Sequence, residues 1–346
     1  MTHNVPAILG GGTYNANGTS TFYIPEFGFN RMLSKDAAGN DRSFGVAAYG
    51  AGGQNTDYAM HPILGGASYI NLEQLFIQPT FSSKVGENHS FGISAIFAFQ
   101  RFEARGLGGF DNPFVSASPG NVTDNGKSNS HGIGLSLGWI GKISDRFSLG
   151  AMYQTKISMS AFDKYKGLIP EGGLLDIPAK AGIGLAFKAS DKVDVLFDIT
   201  HVFYSDTQAL GAPTIAVPNP FNPPLGASTG FGWDDQTVYR LGLVYKHSPK
   251  LTLRAGLNYG ENPAPNSTFN DTFFNSLTPV ISEKHVSLGF TYQINPKMSI
   301  TGSYVRAFDK TLDGNGVKLT PPGIGTPAPD IRVDSDAFGL SFNWKY

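Results

Sequence analysis

The chain has 346 residues and a net charge of −1; 15% are charged, 12% are aromatic and 43 are glycine. A soluble domain carries about 25% charged residues and about 7% glycine, so charge is too scarce here to cover a soluble surface, and the ample apolar content excludes disorder. There is no basic block for nucleic acid, no cysteine for disulfide, thiolate catalysis or thiolate-bound metal, and no run of the roughly 18 to 20 apolar residues that a membrane helix needs.

What the chain does show is period two, the signature of strands. Residues 22–33, 42–49 and 73–85 alternate weakly. The clearest segment is 90–100, where Phe91, Ile93, Ala95, Phe97 and Phe99 share one face. Weaker alternation follows at 131–143, 147–159, 181–188, 193–204 and 237–247. In 251–259, Leu251, Leu253, Ala255, Leu257 and Tyr259 oppose Thr252, Arg254, Gly256 and Asn258. Residues 286–294 repeat this, 298–308 more weakly, and in 338–346 the apolar set is Phe338, Leu340, Phe342, Trp344 and Tyr346.

The second face of these segments is mostly Gly, Ser, Thr, Asn and Gln. That composition suits a crowded lumen, with the aliphatic and aromatic face turned to lipid. About ten tilted residues span a bilayer, and a closed barrel leaves no unsatisfied edge. Trp139, Tyr153, Tyr245, Tyr259, Tyr292 and Trp344, near segment ends, are expected to form interfacial girdles. The spacing therefore predicts an all-β, antiparallel transmembrane barrel of the bacterial outer membrane, a single domain over 1–346.

Connections alternate in length, as in outer-membrane barrels. Short ones fall at 35–40, 86–89, 144–146, 190–192, 248–250 and 295–297. Long ones, rich in Gly, Pro and Asn, fall at 51–71, 106–128, 161–174, 206–236, 261–283 and 309–332. Thirteen segments are readable and the last descends to the periplasm, so the first descends too. An even-stranded barrel then requires one ascending strand before residue 20. With no leader pattern after Met1, the chain reads as truncated at its N-terminus, and residues 1–20 as an extracellular loop.

Three stretches resemble the FadL/TodX/OMPP1 family of outer-membrane transporters for long-chain fatty acids and other hydrophobic compounds. One is Gly232-Trp233-Asp234-Asp235-Gln236 leading into the strand Thr237–Tyr245. A second is Leu253-Arg254-Ala255-Gly256-Leu257-Asn258-Tyr259, followed by Pro263-Ala264-Pro265. The third is Tyr153-Gln154-Thr155-Lys156-Ile157 with Phe162-Asp163-Lys164-Tyr165 and then Asp176-Ile177-Pro178. The resemblance covers roughly residues 22–346. It implies a fourteen-stranded monomeric barrel with an N-terminal hatch, of which the hatch and first strand are not found here. It also implies passive uptake of a fatty acid or related hydrophobic molecule, in contact with outer-membrane lipid and lipopolysaccharide. A general porin, or a surface-interaction barrel without transport, are the alternatives.

Candidate sites follow from the chemistry of such cargo. Leu107, Phe110, Phe114 and Val115 in one long loop, with Phe162, Tyr165, Leu168 and Ile169 in the next, are apolar enough to form a groove or a mini-core of their own. Alternation places Lys156, Arg240 and Arg254 on the inward face, where each could hold a carboxylate or pair with Glu73, Asp194 or Asp198. Met152, Phe76 and Val244 would line the path. Gly50, Gly52 and Gly53 weaken a ladder; the resemblance makes theirs the kinked strand with a lateral opening, and the other reading is the glycine-rich start of a loop. The seven scattered histidines form no metal or nucleophile motif, so no enzyme, cofactor or metal is expected. Asp313-Gly314-Asn315-Gly316 reads as a turn.

Overall fold

The computed structural model describes residues 2–5, 12–61, 64–214, 225–267, 269–314 and 330–346. Two short strands come first, β1 (Thr2–Val5) and β2 (Gly12–Asn15). They are followed by β3 (Phe27–Leu33), β4 (Arg42–Tyr58), β5 (Ser68–Val85), β6 (His89–Arg105), β7 (Ser128–Lys142), β8 (Phe147–Gln154), β9 (Lys180–Lys188) and β10 (Val193–Val202). The last five are β11 (Gln236–Lys246), β12 (Leu251–Gly260), β13 (Lys284–Asn295), β14 (Met298–Leu312) and β15 (Asp330–Trp344). All join one sheet, in which β3 to β15 pair antiparallel with their sequence neighbours and β1 and β2 extend it past β15. No helix among the described residues is long and apolar enough to cross a membrane.

The alternation decides which face goes where. On β12 and β13, Leu257 is 55% exposed and Leu288 56% exposed, while Arg254 and Asn258 turn to the other side. A face of Leu, Ile and Phe that remains half exposed across neighbouring strands has lipid as its solvent. Tyr239 and Tyr259 pair across β11 and β12 at the outer end of this band. Tyr292 and Trp344 stand at the opposite end, opposite Ile300 and Met298.

Several sequence expectations shift. The connection expected at 51–71 is mostly strand, because β4 continues to Tyr58 and β5 begins at Ser68. Residues 1–20 are not simply a loop: β1 pairs with the outer end of β15 through Thr2↔Arg332 to Asn4↔Asp330. The strand expected over 147–159 stops at Gln154. Of the turn expected at 313–316, Asn315 and Gly316 lie outside the described residues, as does most of the connection at 309–332.

The sheet does not close through a ladder. No backbone pairing joins β3 to β15. The two edges meet at the inner end, where the Tyr346 hydroxyl donates to the Asn30 carbonyl at 3.1 Å and the Phe29 and Tyr346 rings stack at 5.9 Å. At the outer end Asn17 bridges to Asp57 of β4. Phe338, on the β15 side of this unpaired seam, is 82% exposed.

Over the outer end, the long connections fold together. Leu107, Phe162 and Tyr165 are fully buried among Phe102, Val122 and Leu225. Burying a large apolar side chain is worth about 1.5–3 kcal/mol, so these connections carry a core of their own.

Candidate functional site

Following β5 and β6 from their outer ends inward gives three levels. Ile70, Leu72 and Phe102 come first, then Phe76, Ala98 and Ile96, then Ser82, Gly92 and Ser90. At about 3.4 Å per residue, Leu72 and Phe76 are separated by roughly 14 Å along the strand.

The outermost level is an apolar pocket of about 120 Å³. Its walls are Ile70, Leu72 and Phe102 from the sheet, Leu168, Ile169 and Leu175 from the connection after β8, and Leu210, Phe231 and Trp233 from that after β10. A short helix, α1 (Phe269–Leu277), supplies Phe274 and Leu277. Its free C-terminal carbonyls need partners, and the inward row of β4 provides them. Tyr58 Oη donates to the Ser276 carbonyl at 2.8 Å, Thr56 Oγ1 to that of Leu277 at 2.8 Å, and Gln54 Nε2 to that of Pro279 at 3.2 Å. The Trp233 indole N–H donates to Asn275 Oδ1 at 2.8 Å, tying the far wall to the same helix.

His61 locks this arrangement. It is fully buried against Tyr58 and Phe273. The Leu64 N–H donates to its Nδ1 at 3.3 Å, so its proton sits on Nε2, 3.2 Å from Ser276 Oγ. Burial holds its pKa down to about 4.

At the middle level the wall thickens. After Gln154 the chain turns inward: Thr155 Oγ1 accepts from the Leu135 N–H at 3.1 Å, replacing a ladder carbonyl. Ile157 then lies over Gly134 and pairs with Ile177. Phe76, Ile96, Ala98, Ile157, Met159 and Ile177 form one buried cluster. Below it is a hollow of about 590 Å³ whose floor includes Gly92, Gly138, Gly150, Gly182, Met152 and Arg240.

The residues singled out from sequence separate by level. Lys156 does not project from a strand. It lies in the inturned segment 3.5 Å from Asp176, which also accepts the Met159 N–H at 2.8 Å. Arg240 and Arg254 do face the lumen, where each donates to a threonine, Thr200 at 2.9 Å and Thr291 at 2.8 Å. Glu73 is on the outward face and pairs with Arg101, and Asp194 pairs with Lys246 at 2.9 Å. Of the loop residues, Leu168 and Ile169 line the pocket, Leu107, Phe162 and Tyr165 fill the core, Phe110 and Val115 pack against it, and Phe114 is 61% exposed. Gly50, Gly52 and Gly53 sit inside β4 at a bulge, Ala51 being the extra residue. β3 flanks β4 only as far as Ala48, and the next backbone contact on that edge is at Asp57.

Sequence reasoning missed Gln54, Trp233, Thr278 and Lys180. Lys180, half-buried on the inward face of β9, makes no ion pair among the described residues. Phe273, Phe274 and Leu277 fall at helical spacing, but over a run too short to mark the helix.

A lipid-facing antiparallel sheet, long apolar outer connections and an apolar pocket above a narrowed lumen define an outer-membrane channel protein. Residues 14–346 match the family described as outer membrane protein transport protein (OMPP1/FadL/TodX). The chain belongs to that family of bacterial outer-membrane transporters for hydrophobic compounds. Its fold is similar to the toluene transporter TodX of Pseudomonas putida, with a TM-score of 0.68 and 17% identity, over 100% of this chain and 86% of that one. A Pseudomonas aeruginosa FadL homologue gives 0.62 and 18%, over 99% and 86%. The Ralstonia pickettii toluene transporter TbuX gives 0.60 and 16%, over 93% and 81%. No curated protein matches the sequence.

Proposed function

We propose that the chain admits hydrophobic compounds by passive diffusion, taking them first into the outer apolar pocket and releasing them through the wall beside β4. The observation that carries this reading is the pocket itself, walled by aliphatic and aromatic side chains from three connections and the inner face of the sheet. The exit is supported by the edge of β4 that lacks a strand neighbour from Tyr49 to Thr56, where Gly50, Gly52 and Gly53 cluster. For fatty acids, the carboxylate would be taken by Arg240 or Arg254, whose only described partners are hydroxyls. Lys156 is already neutralised by Asp176. A general porin is less well supported, because the Ile157 cluster narrows the lumen.

The test is uptake of labelled toluene and oleate by cells lacking their own transporter and expressing this chain. Uptake above the empty-vector level, unaffected by an uncoupler, is expected. It should fall severalfold in Leu72→Lys, which puts a charge in the pocket, and in Gly52→Phe, which puts a bulky side chain beside the free edge at a position where a Cβ meets only ordinary contacts from Gln74. Uptake equal to the empty vector, with the protein present in the outer membrane, would overturn the reading.

A further inference from the structure

We propose that the outer pocket selects compact, uncharged hydrophobes bearing a single hydrogen-bonding group, as a phenol does, over both plain hydrocarbons and carboxylates. This rests on the uptake reading above and adds a ligand class to it.

Three observations converge. The first is size: the cavity is about 120 Å³, and an apolar cavity of roughly 150 Å³ in another protein holds one benzene. The pocket is therefore of single-ring size, and an extended acyl chain would have to run out through its open side. The second is charge. No Lys, Arg, His, Asp or Glu is among the described lining residues, so a carboxylate would surrender its hydration with none of them to pair against. Arg240 lies at the lower hollow, beyond the Ile157 cluster, and cannot serve this level.

The third is an orphan. Thr278 lines the pocket just after α1, and its Oγ1 is buried with no hydrogen-bond partner. The polar residues of β4 satisfy the carbonyls of 276, 277 and 279 around it and leave this hydroxyl out. A buried hydroxyl in an otherwise apolar wall is costly unless something bonds it. Gln54, on the same wall, spends its amide N–H on Pro279, while its carbonyl oxygen receives no bond from a described residue. A ligand hydroxyl can therefore accept from Thr278 and donate to Gln54. A hydrocarbon leaves both unmet.

The experiment compares three molecules that share one methylated ring: toluene, p-cresol and p-toluate. Their affinities for the purified full chain in detergent are measured by titration calorimetry against blank micelles. p-Cresol should bind about five- to tenfold tighter than toluene, the worth of one net hydrogen bond, and p-toluate weakest. Thr278→Val should bring the cresol-to-toluene ratio to about one, and Thr278→Ser should keep it. Toluene binding as tightly as p-cresol, p-toluate binding tightest, or an unchanged ratio in Thr278→Val would each overturn the proposal. Should Thr278→Val not fold, the wild-type ranking decides alone. If toluene binds but p-cresol has no advantage, only the selectivity fails. If none of the three binds and cells accumulate none, the uptake reading fails with it.

Discussion

His61 ties the connection between β4 and β5 to α1, and it does so as a neutral ring. Its acceptor nitrogen is occupied by the Leu64 N–H, and protonation would break that bond and bury a charge. Its pKa, lowered by burial from 6.5 to about 4, lies below the unfolded value. The unfolded chain therefore binds a proton across this window while the folded one does not. The stability His61 contributes is complete above about pH 6.5 and is lost progressively as pH falls toward 4, about 3 kcal/mol in all. Amide protection factors at Asn275, Ser276 and Leu277, taken relative to the intrinsic exchange rate at each pH, should fall between pH 7 and pH 5, and His61→Gln should flatten that dependence. An equal slope in both proteins would assign the effect to other groups. From sequence, this residue was one of seven scattered histidines, since nothing local marks a ring whose bond to α1 spans 215 residues. Arg240 and Arg254 were legible as inward because simple alternation holds through their strands. Lys156 was not, because the ladder breaks one residue earlier without a Gly or Pro to announce it.

The inturned segment after β8 depends on glycines of β7 that have no side chain to fill its space. A Cβ on Gly132 would lie 2.5 Å from the Ser158 carbonyl oxygen, and one on Gly134 would lie 2.5 Å from Ile157 Cγ1. Gly138, on the same inward face further down the strand, has nothing within 4 Å. Gly132→Ala should therefore force the segment off the strand and cost about 1–3 kcal/mol, as overpacking does. Gly138→Ala should be close to neutral. The midpoints of heat-induced unfolding on gels check this, and equal shifts in the two variants would mean the segment is not seated as described. At this scale the thirteen long strands were readable because each has a mostly apolar face over the part that crosses the membrane. The outer halves of β4 and β5 were not, because above the membrane their outward residues, such as Asn55, Asn71 and Glu73, are polar and the alternation inverts. The helix α1 was taken for loop because its nine residues are too few for a clear period.

The number of strands alone does not decide what the whole molecule passes. Barrels of about eight strands are filled by their own side chains, and those of 16–18 leave an aqueous channel; this sheet lies between. What fills the lumen then matters more than its circumference, and the filling is layered. An apolar pocket of about 120 Å³ sits outermost, the Ile157 cluster below it, and the glycine-floored hollow of about 590 Å³ beneath. None of this layering was legible in the sequence, because it arises where the connection after β8 meets the inner faces of β4 to β7, far apart along the chain. On the proposed route a hydrophobe partitions into the first layer and leaves at the free edge of β4 near the same height, without crossing the cluster. A hydrated sugar has no such route. Liposomes carrying the chain should therefore swell in arabinose little faster than protein-free liposomes. The double variant Ile157→Gly with Met159→Gly, which thins the middle layer, should swell severalfold faster while toluene uptake changes much less. Rapid swelling with the wild-type chain would mean that the lumen is open from end to end, and the route along β4 would lose its reason to exist.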